Sequence, residues 1–451
     1  MKKYFGTDGV RGLANKHPMT AEFALQLGMA SACVIKGKVS DRNPTVLLGK
    51  DPRLSSDFLA AAFAAGCASC GLEIHKIGVI TTPGISYLTQ CRDFLFGAMV
   101  SASHNPYQDN GIKLFSSRGI KIPDAWEEEI ERQIDDHNFN LADSKGIGRI
   151  KTDEGLKQDY LDMLKSQLAS SAKLKRGRVV IDCANGSTSA IARDVFQHLF
   201  AAVFINDHPD GININQNCGS TRMQVLCDRV RSERADFGFA FDGDGDRVLF
   251  CDETGEILDG DYVLAICALD MKKRGTLKNN LLIGTVMTNL GMIKAMEKQG
   301  IEVRLVQVGD KYVYEEMVKS AASLGGEQSG HIIFPDLIQT GDGLLTALKF
   351  LQIIGESGIP LSEHRKIFSK YPQALLNLRI KNRSDYTENR ELQKTLTDLA
   401  DQQGRDSRLV VRPSGTEPLL RIMVESRDKN SLDFLLEKAE GIIRQHIKVE
   451  E

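Results

Sequence analysis

Short apolar runs that end in polar, glycine-rich turns alternate with helical periods along the whole chain. Runs such as 46–48, 96–101, 178–182 and 237–241 are typical of strands buried on both faces of a sheet. Buried strands that alternate with helices predict an α/β fold with mostly parallel or mixed sheets. A chain of 451 residues is too long for one core. The pattern divides into four stretches, which predict domains at 1–151, 152–251, 252–368 and 369–451.

The same periodicities predict most of the remaining elements. Further strands are expected at 248–252, 281–286, 303–308, 408–412 and 420–425. Helices are expected at 58–68, 124–136, 187–199, 291–298 and 431–446. Ser55 and Ser56 are predicted to cap the first of these helices, and the polar stretch after residue 136 is predicted to be a linker.

Charge and composition argue against several classes of protein. The formal net charge of −3 gives no electrostatic reason for nucleic acid or an anionic membrane as a partner, so a bound phosphate needs a local site. No apolar run approaches the roughly 18 residues of a membrane span, and the N-terminus leads into polar sequence instead of a signal peptide. Cys67 and Cys70 form the one C-x-x-C and are predicted to be buried structural thiols. A cytoplasmic location is expected.

The densest group of polar side chains follows the second predicted strand, where segment 101–106 reads S-A-S-H-N-P. Pro106 disfavours helical geometry at Asn105, which predicts a sharp loop at a strand end, where functional side chains often lie. Ser103 is a candidate nucleophile there. His104 is not expected to be its base, because neighbouring side chains in an extended loop point apart. The G-x-S-x-G elbow of hydrolases is absent, and a plain turn explains this segment better when it is taken alone.

Segment 242–247 reads D-G-D-G-D-R and carries carboxylates at alternate positions. The glycines between them let three side chains converge on one hard cation: Asp242, Asp244 and Asp246. A solvated acidic turn is less favoured, because three like charges so close repel one another. A calcium EF-hand loop also has carboxylates at its first, third and fifth positions, and Glu253 falls at its twelfth. Arg247, however, stands at the sixth position, where that loop requires glycine. Three carboxylates with open positions suit Mg²⁺, which commonly binds a phosphate oxygen as well.

Two further polar loops lie in the second half of the chain. Segment 325–331 reads G-G-E-Q-S-G-H and offers side chains that bind hydroxyl groups. Segment 412–418 reads R-P-S-G-T-E-P, in which an arginine, two hydroxyls and free backbone amides suit a phosphate. A plain loop and a simple hairpin turn explain the two segments as well. The glycine-rich segment 6–12 is not a P-loop, and no dinucleotide-binding fingerprint occurs.

Together, and in this order, the four loops resemble those of the α-D-phosphohexomutase family, and the resemblance spans the whole chain. In that family an S-A-S-H-N-P loop carries a phosphoserine and a D-G-D-G-D-R loop holds Mg²⁺. A G-E-x-S-G-H loop binds the sugar, and an R-x-S-G-T-E-P loop binds phosphate. The resemblance implies four domains around a central cleft, the first three of similar α/β topology with mixed sheets and the fourth a smaller α+β domain.

The resemblance also implies an isomerase that moves phosphate between O6 and O1 of a sugar, through a phosphoserine and a bound bisphosphate. One Mg²⁺ would have four ligands: Ser103, Asp242, Asp244 and Asp246. The other groups implied as catalytic are Arg11, Lys113 and His331. Those implied as substrate-binding are Arg247, Glu327, Ser329, His331, Arg412, Ser414, Gly415 and Thr416.

Gln328, the start F-G-T-D-G-V-R-G and the segment 105–115 resemble the branch that acts on glucosamine phosphates. The implied intermediate is glucosamine 1,6-bisphosphate, on a route to UDP-N-acetylglucosamine and cell-wall precursors. The expected partner is a small sugar phosphate, with no nucleic acid or membrane, and a homodimer is compatible with this. Activity on mannose or glucose phosphates, as in relatives that more often carry Met in the sugar loop, is the alternative. Binding of carbohydrate without turnover and hydrolysis of phosphate esters are the rivals from other classes.

Overall fold

The computed structural model describes residues 2–39, 43–167, 177–402, 404–414 and 418–450. Four sheets follow one another along the chain, each with helices packed against it, which confirms the predicted α/β class. The second sheet continues to Leu258, past the predicted boundary at 251, and the first continues to Thr152. The domain boundaries themselves stay predictions.

The first sheet has seven strands in the order β1-β2-β6-β5-β3-β4-β7. These strands are β1 Phe5–Gly6, β2 Gly9–Leu13, β3 Thr45–Lys50, β4 Glu73–Val79, β5 Phe96–Val100, β6 Asp109–Ser116 and β7 Ile150–Thr152. The helices of this part are α1 Ala21–Lys38, α2 Ser56–Ser69, α3 Thr82–Cys91 and α4 Asp124–Asp135, and α5 Lys157–Ser166 follows it.

The second and third sheets have five and four strands, in the orders β12-β11-β10-β8-β9 and β14-β13-β15-β16. The second contains β8 Arg178–Asp182, β9 Ala201–Ile205, β10 Phe237–Phe241, β11 Val248–Asp252 and β12 Ile257–Leu258, with helices α6 Ala192–Phe196 and α7 Gln224–Glu233. The third contains β13 Leu281–Thr285, β14 Glu302–Val306, β15 Gly325–Gly326 and β16 Ile332–Ile333. Its helices are α8 Gly260–Lys273, α9 Leu290–Lys298, α10 Asp310–Ser320, α11 Gly343–Ser357 and α12 Leu361–His364.

The fourth sheet is antiparallel, with the order β18-β19-β17-β20. Its elements are β17 Gln373–Ile380, α13 Ser384–Thr387, α14 Arg390–Gln402, β18 Ser407–Pro413, β19 Leu419–Ser426, α15 Lys429–His446 and β20 Val449–Glu450. Helices α14 and α15 pack on each other and on this sheet. The smaller fourth domain is therefore α+β, as the resemblance implies.

One four-strand unit occurs in each of the first three sheets. In the order β6-β5-β3-β4 of the first sheet, β3 is parallel to its neighbours on both sides and β6 is antiparallel to β5. The strands β11-β10-β8-β9 and β16-β15-β13-β14 repeat the same order and the same directions. The chain thus repeats a topology without repeating a sequence, which confirms that the first three domains are alike.

Each candidate loop joins the last two strands of its unit. The serine loop (101–106) connects β5 to β6, and the aspartate loop (242–247) connects β10 to β11. The sugar loop (325–331) connects β15 to β16. The phosphate loop (412–418) also belongs to an antiparallel hairpin, formed by β18 and β19. The sheets therefore present all four loops at equivalent hairpin ends.

The buried apolar side chains of the described residues form five clusters, two of which show how the domains are joined. One continuous core joins buried residues of the first three domains, for example Leu47, Phe239 and Leu348. The fourth domain has its own core, which includes Leu378, Leu420 and Leu435. The first three domains are consequently one packed body, to which the fourth is attached.

Three local predictions are wrong. The helix expected at 187–199 is a 3₁₀ turn, Ser187–Ala190, followed by the short α6. The Thr188 hydroxyl donates to the carbonyl of Cys183, a local hydrogen bond of the kind that competes with helix formation. The stretch after residue 136 is not only a linker, since its end forms the exposed edge strand β7. Ser55 stands at the start of α2, but its hydroxyl accepts a hydrogen bond from Asn110 and does not cap the helix.

All nine cysteines lie in described residues and are free thiols, and Cys67 and Cys70 are buried as predicted. Within the described ranges, no single helix is long and apolar enough to cross a membrane. The bent pair formed by α11 with Leu361–Ile367 reaches that length and composition together.

Candidate active site

The serine loop and the aspartate loop meet directly. Ser103 Oγ donates a hydrogen bond of 2.6 Å to Asp242 Oδ2, although 139 residues separate the two in sequence. The backbone N–H of Thr82 donates to the carbonyl of Asp244 at 2.9 Å, which holds the start of α3 against the same loop. The first two domains therefore bring the candidate nucleophile and the candidate metal ligands into one site.

Ser103 has a left-handed backbone conformation, with φ of 52°, and its side chain is buried. A serine rarely adopts this conformation unless its surroundings enforce it, and such positions are frequent at active sites. The expectation of an extended loop at Ser103 is therefore wrong. His104 Nδ1 lies 3.4 Å from Ser103 Oγ, but burial, Arg247 and Arg11 lower the pKa of His104 to about 4. Contrary to the prediction, the His104 ring therefore does not point away from Ser103, but a histidine that binds protons so weakly is a poor base.

Arg53 holds the backbone of the serine loop, and the sequence analysis missed it. Its Nη2 donates to the carbonyls of Ser103 and Asn105 at 2.8 and 2.9 Å, and its Nη1 donates to the carbonyl of Asp109 at 3.1 Å. Asp51 Oδ2 accepts from Arg53 Nε and from Ser101 Oγ, both at 2.7 Å. An arginine two residues after an aspartate, directly beyond the buried strand β3, was the available signal.

The three aspartates form the expected cluster. All three are buried at the end of the hairpin β10–β11, and one carboxylate oxygen of each lies within 4.8 Å of the others. Asp244 Oδ1 and Asp246 Oδ1 are buried without a hydrogen-bond partner among the described residues. Burial and the neighbouring carboxylates raise the pKa of Asp242 well above its ordinary value. Buried carboxylates with unused oxygens are a donor set that fits a hard divalent cation.

Lys113 enters the same cluster from β6, where it is buried. Its Nζ lies 2.8 Å from Asp244 Oδ2 and 2.9 Å from Asp8 Oδ2. Burial works to lower the pKa of Lys113, but Asp244 and Asp8 outweigh it and raise the pKa above its ordinary value. Arg11 also pairs with Asp8, so both basic groups named by the resemblance reach the site beside an aspartate that the sequence analysis did not single out.

His331 connects the third domain to the aspartates. Its Nδ1 lies 3.5 Å from Asp246 Oδ2, and its Nε2 accepts a hydrogen bond of 2.9 Å from the backbone N–H of Gly341. Arg247 lies beside the same carboxylate, with its Nε 3.8 Å from Asp246 Oδ1. Burial works to raise the pKa of Asp246, but His331, Lys113 and Arg247 hold it well below its ordinary value. Asp246 is thus ionised and held by the first and third domains.

Within the sugar loop, the side chain of Gln328 points away from those of Glu327 and Ser329. Glu327 Oε1 accepts from the backbone N–H of Gly309 at 2.9 Å, and Ser329 Oγ lies 3.2 Å from Glu327 Oε2. Gln328 Nε2 instead donates to Asp261 Oδ2 at 3.2 Å. Glu327 and Ser329 are therefore placed as a pair, whereas the amide of Gln328 is bound to the first turn of α8.

The phosphate loop is described only in part. Arg412 lies near the end of β18, and the buried Ser414 follows that strand. Gly415 and Thr416 lie outside the described residues. Burial and Arg421 lower the pKa of Arg412, and Glu327 of the sugar loop opposes this effect. The fourth domain thus presents positive charge toward the sugar loop.

Three α/β domains and a smaller α+β domain that bring a serine, three carboxylates and several basic groups together define an enzyme of phosphoryl transfer. Models of phosphoglucomutase/phosphomannomutase domains match the chain in order. The alpha/beta/alpha domains I, II and III match at 2–141, 158–255 and 259–371, and the C-terminal domain matches at 375–440. The chain belongs to the phosphoglucomutase/phosphomannomutase family, the α-D-phosphohexomutases, which confirms the resemblance.

Individual relatives agree with this assignment. The chain is 46% identical over 434 residues to a phosphoglucosamine mutase of Caldicellulosiruptor saccharolyticus, and the match covers 95% of this chain and 96% of the relative. A solved phosphoglucomutase/phosphomannomutase family protein of Burkholderia thailandensis has a TM-score of 0.84 at 22% identity, with full coverage of both chains. An Aspergillus fumigatus N-acetylphosphoglucosamine mutase, solved with GlcNAc-6P and magnesium, has a TM-score of 0.65 at 17% identity over 99% of this chain and 96% of that one.

Proposed function

We propose that the protein has the activity of a phosphoglucosamine mutase and interconverts glucosamine 6-phosphate and glucosamine 1-phosphate. The relative from Caldicellulosiruptor saccharolyticus carries that name and matches nearly the full length of both chains. The observation that carries the chemistry is the hydrogen bond from Ser103 Oγ to Asp242, because it puts a strand-end hydroxyl against a carboxylate cluster. The product would enter the synthesis of UDP-N-acetylglucosamine and cell-wall precursors.

Two phosphoryl transfers through Ser103 account for the reaction. Phosphorylated Ser103 first gives its phosphoryl group to the free hydroxyl of the sugar monophosphate: the bond from phosphorus to Oγ breaks and a bond to the sugar oxygen forms. The glucosamine 1,6-bisphosphate then reverses its orientation in the cleft, and its other phosphoryl group is transferred to Ser103 Oγ. Arg11 and Lys113 stabilise the phosphate oxygens, and Arg11 stays protonated throughout. In the first transfer the proton lost by the sugar hydroxyl ends on Ser103 Oγ, and in the second transfer it returns to the sugar oxygen, with Lys113 and His331 as the groups that would relay it.

A divalent cation, Mg²⁺, would be held by the phosphorylated Ser103 and the three aspartates, and would neutralise charge on the transferring group. The unpartnered oxygens of Asp244 and Asp246 support this assignment. So does the magnesium named for the Aspergillus fumigatus structure. Lys113 and Ser103 use part of the hydrogen-bonding capacity of the aspartates.

The remaining proposed site residues bind the sugar phosphate. Glu327 and Ser329 would bind sugar hydroxyls, and Arg247 and His331 lie beside Asp246 at the inner end of the same site. The phosphate that is not reacting would be held by the hairpin of the fourth domain through four residues: Arg412, Ser414, Gly415 and Thr416. We propose further that no nucleic acid or membrane takes part. We also propose that the protein acts in the cytoplasm, and its nine free thiols support this location.

The substrate assignment is tested by comparing kcat/KM for glucosamine, glucose and mannose phosphates in one assay, with Ser103→Ala as the inactive control. We expect the glucosamine phosphates to be preferred, phosphate on Ser103 by peptide mass spectrometry, and loss of nearly all activity in Ser103→Ala. Release of inorganic phosphate in place of the isomer would identify a phosphatase. Higher kcat/KM on mannose 6-phosphate would contradict the glucosamine assignment.

Removal of the metal is the second test of the site. Chelation should abolish turnover, and added Mg²⁺ should restore it. Asp244→Asn should lose nearly all activity because it removes one negative ligand from the cluster. Asp228→Asn is the matched control, since Asp228 is an exposed aspartate on α7. Turnover by Asp244→Asn in the presence of chelator would show that the cluster is not the metal site.

A further inference from the structure

Asp261, in the first turn of α8, is a fully buried carboxylate that the proposed phosphoryl transfer does not use. Its Oδ2 accepts hydrogen bonds from two directions, from Gln328 Nε2 at 3.2 Å and from the backbone N–H of Asn289 at 3.0 Å. Its Oδ1 has no hydrogen-bond partner among the described residues. Burial of a carboxyl group with one unpartnered oxygen costs free energy of folding. The two hydrogen bonds to the other oxygen therefore indicate what this group does in the structure.

The first of these bonds leads to the sugar loop. The backbone also joins the two elements, since the N–H of Gly260 donates to the carbonyl of Gln328 at 2.9 Å. A Cβ atom at position 260 would lie only 2.1 Å from the carbonyl oxygen of Glu327, so only glycine permits this close approach. The start of α8 therefore supports the sugar loop from behind.

The second bond leads to the segment that joins the third domain to the fourth. Asn289 Oδ1 accepts from the backbone N–H of Tyr371 at 3.0 Å, and its Nδ2 donates to the carbonyl of Tyr371 at 3.1 Å. The next backbone N–H, that of Leu290, donates to Glu425 Oε1 at 3.2 Å, and Gln373 Nε2 donates to the same oxygen at 3.0 Å. We call these residues (289, 290, 371, 373, 425) the joint.

The joint is connected to the phosphate-binding hairpin. Glu425 lies on β19, and Arg408, on the paired strand β18, donates to Glu425 Oε2 at 2.5 Å and to the carbonyl of Thr288 at 2.6 Å. β18 runs from the joint to the phosphate loop and β19 runs back to the joint, and Arg412 lies near the loop end of β18. A path of hydrogen bonds and paired strands thus joins the sugar loop, Asp261, the joint and the phosphate hairpin.

We propose that Asp261 is a positioning residue that couples the sugar-binding loop to the joint of the fourth domain, and thereby determines how well the cleft retains the sugar bisphosphate. This inference rests on the proposed function. Gln328, which marks the glucosamine branch, acts here through Asp261 and α8 and not by contact with the amino sugar. The bisphosphate has to reverse its orientation without leaving, so the two halves of its binding site must keep their relative position.

The test compares three variants of the full-length phosphoenzyme: Asp261→Ala, Asp261→Asn and Asp270→Ala. Asp261→Ala removes both hydrogen bonds. Asparagine retains one carbonyl oxygen that can accept both, so Asp261→Asn should rescue function. Asp270 lies on the same helix, is partly buried and pairs with Arg274, so Asp270→Ala controls for loss of a carboxylate from α8. The readouts are KM, kcat, bisphosphate released per turnover and the melting temperature.

We expect Asp261→Ala to raise KM and bisphosphate release roughly tenfold, because it removes two hydrogen bonds that together contribute about that factor. Ser103 phosphorylation should be retained. Asp261→Asn and Asp270→Ala should stay within about threefold of wild type, since neither removes the shared acceptor. Gln328→Met deletes one of the two bonds and should give a smaller effect that does not add to that of Asp261→Ala.

Unchanged KM and unchanged bisphosphate release in Asp261→Ala would overturn the inference. It would also be overturned if Asp261→Asn were as impaired as Asp261→Ala, because the lost quantity would then be the charge and not the shared acceptor. A fall in melting temperature with unaltered retention of bisphosphate would indicate a structural role only. If the wild type turns over another hexose phosphate but no glucosamine phosphate, the proposed function fails, and the same variants are then compared with that substrate.

Discussion

Arg53 shows at the scale of one residue how the left-handed conformation of Ser103 is stabilised. Its planar guanidinium reaches the carbonyls of Ser103, Asn105 and Asp109, and Asp51 holds the guanidinium in turn. Asn215 of the second domain adds hydrogen bonds to the carbonyls of Ser103 and Asn105, at 2.9 and 3.0 Å. The nucleophile is therefore positioned through backbone oxygens, which leaves its own hydroxyl available for chemistry.

Arg53→Lys should reduce the rate of phosphoryl transfer without removing the nucleophile. A lysine keeps the charge but has one compact donor group, so it cannot serve the same carbonyls as a fork. We expect kcat to fall roughly 10- to 100-fold, measured as transfer from the phosphoenzyme to the sugar in a single turnover. Arg92→Lys is the matched control, because Arg92 pairs with Asp159 at an exposed position. A wild-type rate in Arg53→Lys would mean that the loop keeps its shape without the guanidinium.

At the scale of elements, the repeated hairpin explains why the loops meet. The last two strands of each unit are antiparallel neighbours, so the loop between them lies at the C-terminal end of the first strand in every unit. The aspartate loop also packs closely on the turn after β8: the N–H of Ser187 donates to the carbonyl of Gly243 at 2.8 Å. A Cβ atom at Gly186 would lie 2.4 Å from the same carbonyl oxygen. The position of the carboxylates therefore depends on the absence of a side chain at Gly186 in the neighbouring turn.

Gly186→Ala should displace the aspartate loop and weaken metal binding. Overpacking of this kind typically costs 1–3 kcal/mol, so we expect roughly a tenfold rise in the Mg²⁺ concentration required for half-maximal activity. Gly37→Ala on α1 is the control, since a Cβ atom there would meet no atom within 4 Å. An unaltered Mg²⁺ requirement in Gly186→Ala would contradict the dependence of the loop on this turn.

The sequence predicts the central strands well and the contacts between domains poorly. β5 and β10 are fully buried, so their apolar runs stand out, whereas β7 is exposed and β15 and β16 have two residues each. The aspartate cluster is local and its spacing reveals it. The partners of Arg53 and Asp261 are distant in sequence and belong to turns and hinges, so no periodicity indicates them. The left-handed Ser103 is likewise imposed by its neighbours, since serine has no intrinsic preference for that conformation.

At the scale of the whole molecule, the division of apolar side chains predicts two unfolding events. The first three domains share one core, and the fourth has a separate one. Leu435→Ala should lower only the transition of the fourth domain, by about 2–5 kcal/mol, because Leu435 is fully buried in that core. Leu348→Ala is the complementary variant, since Leu348 is fully buried in the shared core. Calorimetry checks both, and a single transition that shifts equally in the two variants would rule out separate units.

The joint differs in kind from both cores, because polar groups make its contacts: the Asn289 amide, the backbone of Tyr371, and the side chains of Glu425 and Arg408. A swing of the fourth domain about this joint exchanges hydrogen bonds to protein for hydrogen bonds to water and exposes little apolar surface. Such an exchange carries a small heat-capacity change, unlike unfolding of either core. A van't Hoff plot of the balance between an open and a closed cleft should therefore be close to linear over a range in which the hydrophobic stabilisation of the cores changes substantially.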